Sequence, residues 1–176
     1  MILVINGPLG IGKTSVAWAL NERLQPSVML DGDYIGAVAP FEIYDAARVA
    51  YLYRTLAHLV AYHQREGGYR NFVLNYVFET PESLAELVAL LKPLDASTHG
   101  FRLRCGVEEM ERRISLRGRT GSEGEVAWEL ARCRELAAIQ DAAAQQGFLG
   151  TVVDTTTLDV KQTADAIVQT LLPQQD

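Results

Sequence analysis

Apolar positions along the 176-residue chain fall into two kinds of pattern that alternate. Ile2–Asn6 (ILVIN) is a short continuous apolar run, β-branched at Ile2, Val4 and Ile5, and reads as a buried parallel strand. Thr14–Leu24 follows with helical spacing and stops before Pro26. Val28–Leu30 reads as a second strand, closing on Asp31-Gly32-Asp33. A long helical pattern runs from Tyr44 to about Arg65 and ends at Gly67-Gly68. Asn71–Phe78 (NFVLNYVF) is a third strand, and Thr80 then caps a helix with Pro81 at its first position, running to about Leu91. Gly100–Cys105 is a fourth strand, followed by a helix over Glu108–Arg117, a glycine-rich break (RGRTGSEG) and a long helix from Glu125 to about Gln146. Thr151–Asp154 is a fifth strand and Asp159–Leu172 the last helix. Strands alternating with helices imply βαβ units, hence an α/β protein with a parallel sheet between two helical layers, in one domain over 1–176.

Composition narrows the class. Apolar content is 48% and charged content 22%, ordinary for a globular protein. A net charge of −6 argues against a nucleic-acid-binding surface. No run is long enough to span a membrane, and the N-terminal apolar run lacks the basic flank of a signal peptide. Cys105 and Cys133 have neither disulfide nor metal spacing, so a reducing cytoplasm is expected. Arginine dominates the cations, with lysine only at 13, 92 and 161, which makes Lys13 in the first glycine loop conspicuous.

That loop, Gly7-Pro8-Leu9-Gly10-Ile11-Gly12-Lys13-Thr14, satisfies G-x-x-x-x-G-K-[ST] between a strand and a helix. Glycines let successive N–H groups turn around a phosphate, and the helix dipole favours the same anion. Gly7, Leu9, Gly10, Ile11, Gly12, Lys13, Thr14 and Ser15 are therefore the nucleotide-binding candidates, with Lys13 on the β- and γ-phosphates and the Thr14 hydroxyl on Mg²⁺.

Through these and further motifs the chain resembles the small P-loop kinases grouped with shikimate, gluconate and adenylylsulfate kinases and chloramphenicol phosphotransferase. The resemblance rests on GPLGIGKTS, on LDGD after the second strand, on RCGVEEMERRISLRGR before a lid, and on VVDTT at the fifth strand. It implies a P-loop NTPase-type sheet in the order 2-3-1-4-5, a lid at about 117–125, and ATP-dependent phosphorylation of a small acceptor. It also assigns Asp31 to the metal and Asp33 to the general base.

The residues support that assignment from their chemistry. Two carboxylates at the carboxyl end of a strand can divide metal binding from proton acceptance; an Asp-Gly turn is the bland reading. Arg113 and Arg117 share a helix face and, with Arg119, crowd the lid, where they would stabilise charge on the moving phosphate. The alternative is that Glu108, Glu109 and Glu111 pair with these arginines, and Arg112 reads as surface. Arg102, Arg104, Arg132 and Arg134 receive no role. Asn75 stands where an acid on the third strand commonly holds Mg²⁺; it can hold a metal-bound water or a substrate group without adding charge. The acceptor region spans about 34–70, with Tyr34, Tyr44 and Arg48 as candidates beside Asn75, although the preferred reading of this helix is that Tyr51, Leu52, Leu56 and Leu59 are core and Arg48 is solvated. Thr155 borders the base, or simply caps the last helix. His58, His63 and His99 have no metal spacing. The function expected is an ATP- and Mg²⁺-dependent phosphotransferase acting on a small-molecule hydroxyl, as a monomer or homodimer. The alternatives are a nucleoside or nucleoside-monophosphate kinase, or a nucleotide-binding protein with slow hydrolysis and no acceptor.

Overall fold

Ile2–Asn6 forms β1, buried at every position because both faces of the strand are covered. In the computed structural model, which describes residues 1–40, 42, 45–116 and 123–172, β1 is the centre of a five-stranded sheet. The other strands are β2 (Ser27–Asp31), β3 (Asn71–Asn75), β4 (Thr98–Arg104) and β5 (Thr151–Asp154). Their order is β2-β3-β1-β4-β5 with every pairing parallel. This is the expected 2-3-1-4-5 sheet.

The described helices are α1 (Lys13–Arg23), α2 (Gly32–Ile35), α3 (Ala46–Gly67), α4 (Pro81–Leu91), α5 (Val107–Leu116), α6 (Glu123–Ala143) and α7 (Val160–Leu171). Period-two alternation in β1 splits the core. Leu3 and Ile5 pack with Ala17 and Leu20 of α1, Met110 and Ile114 of α5 and Ile167 of α7. Ile2 and Val4 pack on the other face with Leu52, Tyr53 and Leu56 of α3 and Leu84, Leu87 and Leu91 of α4. The result is three layers with apolar surface buried on both sides of the sheet.

Several boundaries differ from the sequence expectation. β4 begins at Thr98 rather than Gly100, because Ile2 and Leu3 of β1 supply ladder partners for Thr98 and His99. β3 ends at Asn75 rather than Phe78. Beyond it the Phe78 backbone leaves the ladder, its N–H donating to Asn6 Oδ1 at 2.9 Å and its carbonyl accepting from Asn6 Nδ2 at 3.2 Å. α3 begins at Ala46 rather than Tyr44, because Asp45 caps it, accepting from Ala47 N at 2.8 Å. The Asp-Gly-Asp stretch is not a bare turn. It opens the short helix α2, with Asp31 Oδ1 capping the N–H of Asp33 at 2.9 Å. The cap expected at Thr80 is present as a reciprocal capping box with Ser83.

Candidate active site

The P-loop is shaped by residues that admit only glycine-like backbone. Gly10 has φ +80°, and a Cβ there would sit 2.6 Å from Ile114 Cγ1 of α5. Gly12 has φ +99° and directly precedes α1, so the helix starts without a side-chain cap and its first N–H groups face the loop. Lys13 is 7% exposed, folded back so that Nζ donates to the Pro8 carbonyl at 3.1 Å. The loop lines a cleft of about 930 Å³. Asp31, Asp33 and Tyr34 form one wall of it, and Arg112, Arg113 and Thr155 another.

Sheet register brings the polar groups together. Asp31 is opposite Asn75 in the β2–β3 ladder, and Asn75 is opposite Ile5 in the β1–β3 ladder. Both strand ends therefore stop beside the P-loop. Thr14 Oγ1 donates to Asp31 Oδ2 at 2.9 Å, and Asn75 Nδ2 donates to the same oxygen at 3.0 Å. Asp31 and Asn75 are both buried. Two residues on, Asp33 is exposed on the first turn of α2, facing the cleft that Asp31 closes from behind. Tyr34 beside it is 77% exposed.

A hydroxyl, one carboxylate and an amide oxygen are hard donors of the kind Mg²⁺ takes, completed by water and phosphate oxygens. The Asn75 Oδ1 is buried with no hydrogen-bond partner among the described residues. Among those residues no group of three or more His, Cys, Asp or Glu is arranged to hold a metal by itself. The fit is to a cation that arrives with its own phosphate ligands.

The opposite wall is held by a carboxylate. Glu109 Oε1 accepts from Arg113 Nε at 2.8 Å, and both Glu109 oxygens accept from Arg112, at 2.6 and 2.7 Å. Hydrogen bonds from these two arginines press the Glu109 carboxyl down to about 2. Arg113 also donates to the Ile11 carbonyl at 3.1 Å, to Thr155 Oγ1 at 3.1 Å and to the Thr155 carbonyl at 2.7 Å. It thus ties α5 to the P-loop and to the loop after β5. Arg112 is exposed, as expected, and also lines the cleft beside Glu109. Arg117 and Arg119, with residues 117–122 of the expected lid, and Tyr44 lie outside the described residues.

Arg48 is buried in α3, its guanidinium donating to the carbonyls of Glu42 at 3.0 Å and Gly36 at 3.3 Å. Two of the arginines given no role on sequence are buried in ion pairs, Arg132 with Glu79 and Glu135, and Arg102 with Asp141. Burial pushes both cysteine thiols up, which makes them core thiols rather than nucleophiles.

The structural feature least visible in the sequence is a buried polar knot behind the P-loop. Asn6 Oδ1 accepts from the backbone N–H groups of Gly7 and Phe78 and from Gln140 Nε2. Asn6 Nδ2 donates to the Phe78 and Leu149 carbonyls, and Gln140 Nε2 also reaches the Phe78 carbonyl. The one sequence signal for it is a polar residue ending an otherwise apolar strand. Gln140 carries none.

A parallel sheet with a glycine cradle between its central strand and first helix, and a carboxylate at the end of an outer strand, defines a P-loop protein. The chain belongs to the AAA domain family, which matches residues 2–136. No curated protein matches the sequence. Solved structures share the fold. The tunicamycin resistance protein of Deinococcus radiodurans is 23% identical over 97% of this chain and 94% of that one, with a TM-score of 0.63. Shikimate kinase from Acinetobacter baumannii, in complex with shikimate, is 19% identical over 97% and 92%, with a TM-score of 0.64. The Mycobacterium tuberculosis APS kinase, in complex with AMPPNP and APS, is 17% identical over 97% and 96%, with a TM-score of 0.63. The resemblance drawn from the motifs is therefore met at the level of the fold.

Proposed function

We propose that the protein is a kinase that moves the γ-phosphoryl group of ATP to a hydroxyl of a small molecule. The observation that carries this reading is the pair of carboxylates at the end of β2. Asp31 is buried against Thr14, and Asp33 is exposed in the same cleft two residues later. A hydrolytic motor has no need of the second group, whereas transfer to a hydroxyl needs a base at the acceptor side. The folds of shikimate kinase and APS kinase, similar along nearly the whole chain, agree with it.

In this reading the P-loop N–H groups and the α1 dipole hold the β-phosphate. Lys13, swung from Pro8, meets the charge that builds on the phosphoryl oxygens. Thr14 and Asp31, with Asn75 behind them, hold Mg²⁺, which neutralises phosphate charge when bound. Asp33 accepts the proton of the acceptor hydroxyl as its oxygen bonds to γ-phosphorus and the bond to the bridging oxygen breaks, leaving ADP. Arg113 and Thr155 border the end of the cleft where the base would lie. Arg117 and Arg119 are proposed to close over the phosphates from the lid. Arg48 donates to backbone carbonyls, which favours a neutral hydroxyl compound over a monophosphate as acceptor. Tyr34 offers that compound an exposed ring and hydroxyl beside Asp33.

Asp33→Asn tests the assignment. Transfer is expected to fall by at least about 100-fold, while nucleotide affinity measured by calorimetry stays within about twofold, less than half a kcal/mol. Near-normal turnover in that variant would remove Asp33 as the base. ADP release across a panel of acceptors tests the class. Stimulation only by nucleoside monophosphates, or slow turnover indifferent to any acceptor, would replace the proposal with the corresponding alternative.

A further inference from the structure

A second cavity, of about 170 Å³, lies behind the P-loop where the end of β4 meets α5 and α6. It shares no lining residue with the P-loop cleft. Pro8, Met110 and Ala137 are among its apolar walls, and Arg102, Arg104 and Asp141 are its charged ones. Arg102 is 6% exposed, and its Nη1 donates to Asp141 Oδ1 at 3.0 Å. Arg104 Nε lies 3.7 Å from the same oxygen. Asp154, opposite Arg104 in the β4–β5 ladder, commits its Oδ1 to Thr156. Two guanidinium groups of the wall therefore share one carboxylate. The Arg102 Nε is sealed from solvent without a partner among the described residues, which leaves Nη2 as the donor that an occupant can take. A buried guanidinium with donors unmade is costly. The amino end of α5 borders the same space at Val107, and its dipole favours an anion there.

We propose that this cavity binds a small carboxylate. The ligand's oxygens accept from Arg102 Nη2 and from the N–H groups that open α5, and its short carbon chain lies against Met110, Ala137 and Pro8. The planar fork of an arginine matches the two oxygens of a carboxylate. The wall carries one positive charge beyond its own carboxylate, which suits a monoanion. A volume of about 170 Å³ is room for about five or six water molecules, so the chain is one of a few carbons. Such a ligand sits apart from the phosphate cradle and takes no part in phosphoryl transfer.

Sodium butyrate titrated into the ¹⁵N-labelled, nucleotide-free protein, against NaCl of equal ionic strength, tests the site. Saturable shifts are expected at the amides of Gly106 and Val107 and at the Arg102 side chain, with a dissociation constant on the order of 1 mM. Neutral butyramide should leave them unmoved. Ala137→Leu fills the cavity from α6 without touching its charges and should weaken butyrate by about tenfold or more. Asp141→Asn removes the like charge beside the ligand at a half-exposed position, where the fold tolerates it. It should tighten butyrate by about threefold or more. No saturable shift, or shifts centred on Gly12 and Thr14 in the P-loop, would overturn the proposal. So would equal shifts with butyramide, an Ala137→Leu protein that binds like wild type, or weaker binding by Asp141→Asn. The titration contains neither nucleotide nor acceptor, and butyrate has no hydroxyl to phosphorylate. If the kinase reading fails, a saturable shift at Gly106 and Val107 still supports this site.

Discussion

Gly10 shows how one position of the P-loop serves both the backbone and its neighbour. Its φ of +80° lies where side chains are disfavoured, and Ile114 of α5 occupies the space a Cβ would take. The motif letters in the sequence explain the first constraint, since only the loop's turn is encoded there. The second comes from a residue 104 positions away, brought up by packing. Gly10→Ala is therefore expected to destabilise the fold by about 1–3 kcal/mol and to weaken nucleotide binding, because Ile114 and the loop must both move. Chemical denaturation and nucleotide titration of the variant check this; a change below about 0.5 kcal/mol would mean that the loop has another resting shape. Lys13 and Thr14 are legible at this same scale, because the phosphate they face requires an ammonium and a hydroxyl at that spacing. Arg113 is not. Its spacing to Arg117 suggests the lid, whereas its guanidinium is engaged by Glu109, Ile11 and Thr155.

At the scale of elements, α5 is the piece whose placement matters most to the cleft. Met110 and Ile114 bury one face against the core, and Glu109 on the first turn accepts from Arg112 and Arg113. The paired carboxyl lies well below its ordinary value, at about 2. A depressed carboxylate contributes stability above its unfolded pKa of about 4.3, and that contribution is lost as pH falls toward its folded value. Melting temperature should therefore drop between about pH 4.5 and pH 2, and Glu109→Gln should flatten that limb and leave the neutral range nearly level. The pair is open to solvent, so the effect at neutral pH is small. A melting profile for the Gln variant that parallels wild type throughout the acid range would show that other carboxylates carry the acid limb. Boundaries of elements were the least legible part of the chain. β4 extends to Thr98 because β1 is there to pair with it, and β3 stops at Asn75 because Asn6 captures the Phe78 backbone. Both reasons are partner groups distant in sequence.

Across the whole molecule, Asn6 joins parts of the chain that share no local pattern. It holds the start of the P-loop, the segment after β3, α6 and the segment before β5 through one side chain that is fully buried. Asn6→Ala would take their Asn6 partner from the N–H groups of Gly7 and Phe78 and from the Leu149 carbonyl in a dry site, at a cost of about 2–4 kcal/mol. That corresponds to a melting temperature about 4–16 °C lower, with a looser P-loop visible as faster amide exchange at Gly7. A variant with wild-type stability would mean that water replaces the side chain. What the sequence by itself determined is the alternation of strands and helices, the phosphate cradle, and the carboxylates after β2, because each of these depends on residues adjacent in the chain. The tertiary structure alone decided that Asp31 meets Thr14 and Asn75, that Arg113 reaches Ile11 and Thr155, and that Asn6 and Gln140 share one buried network. Those contacts depend on strand order and register. Register is set by the packing of apolar faces from distant segments, and no local spacing records it.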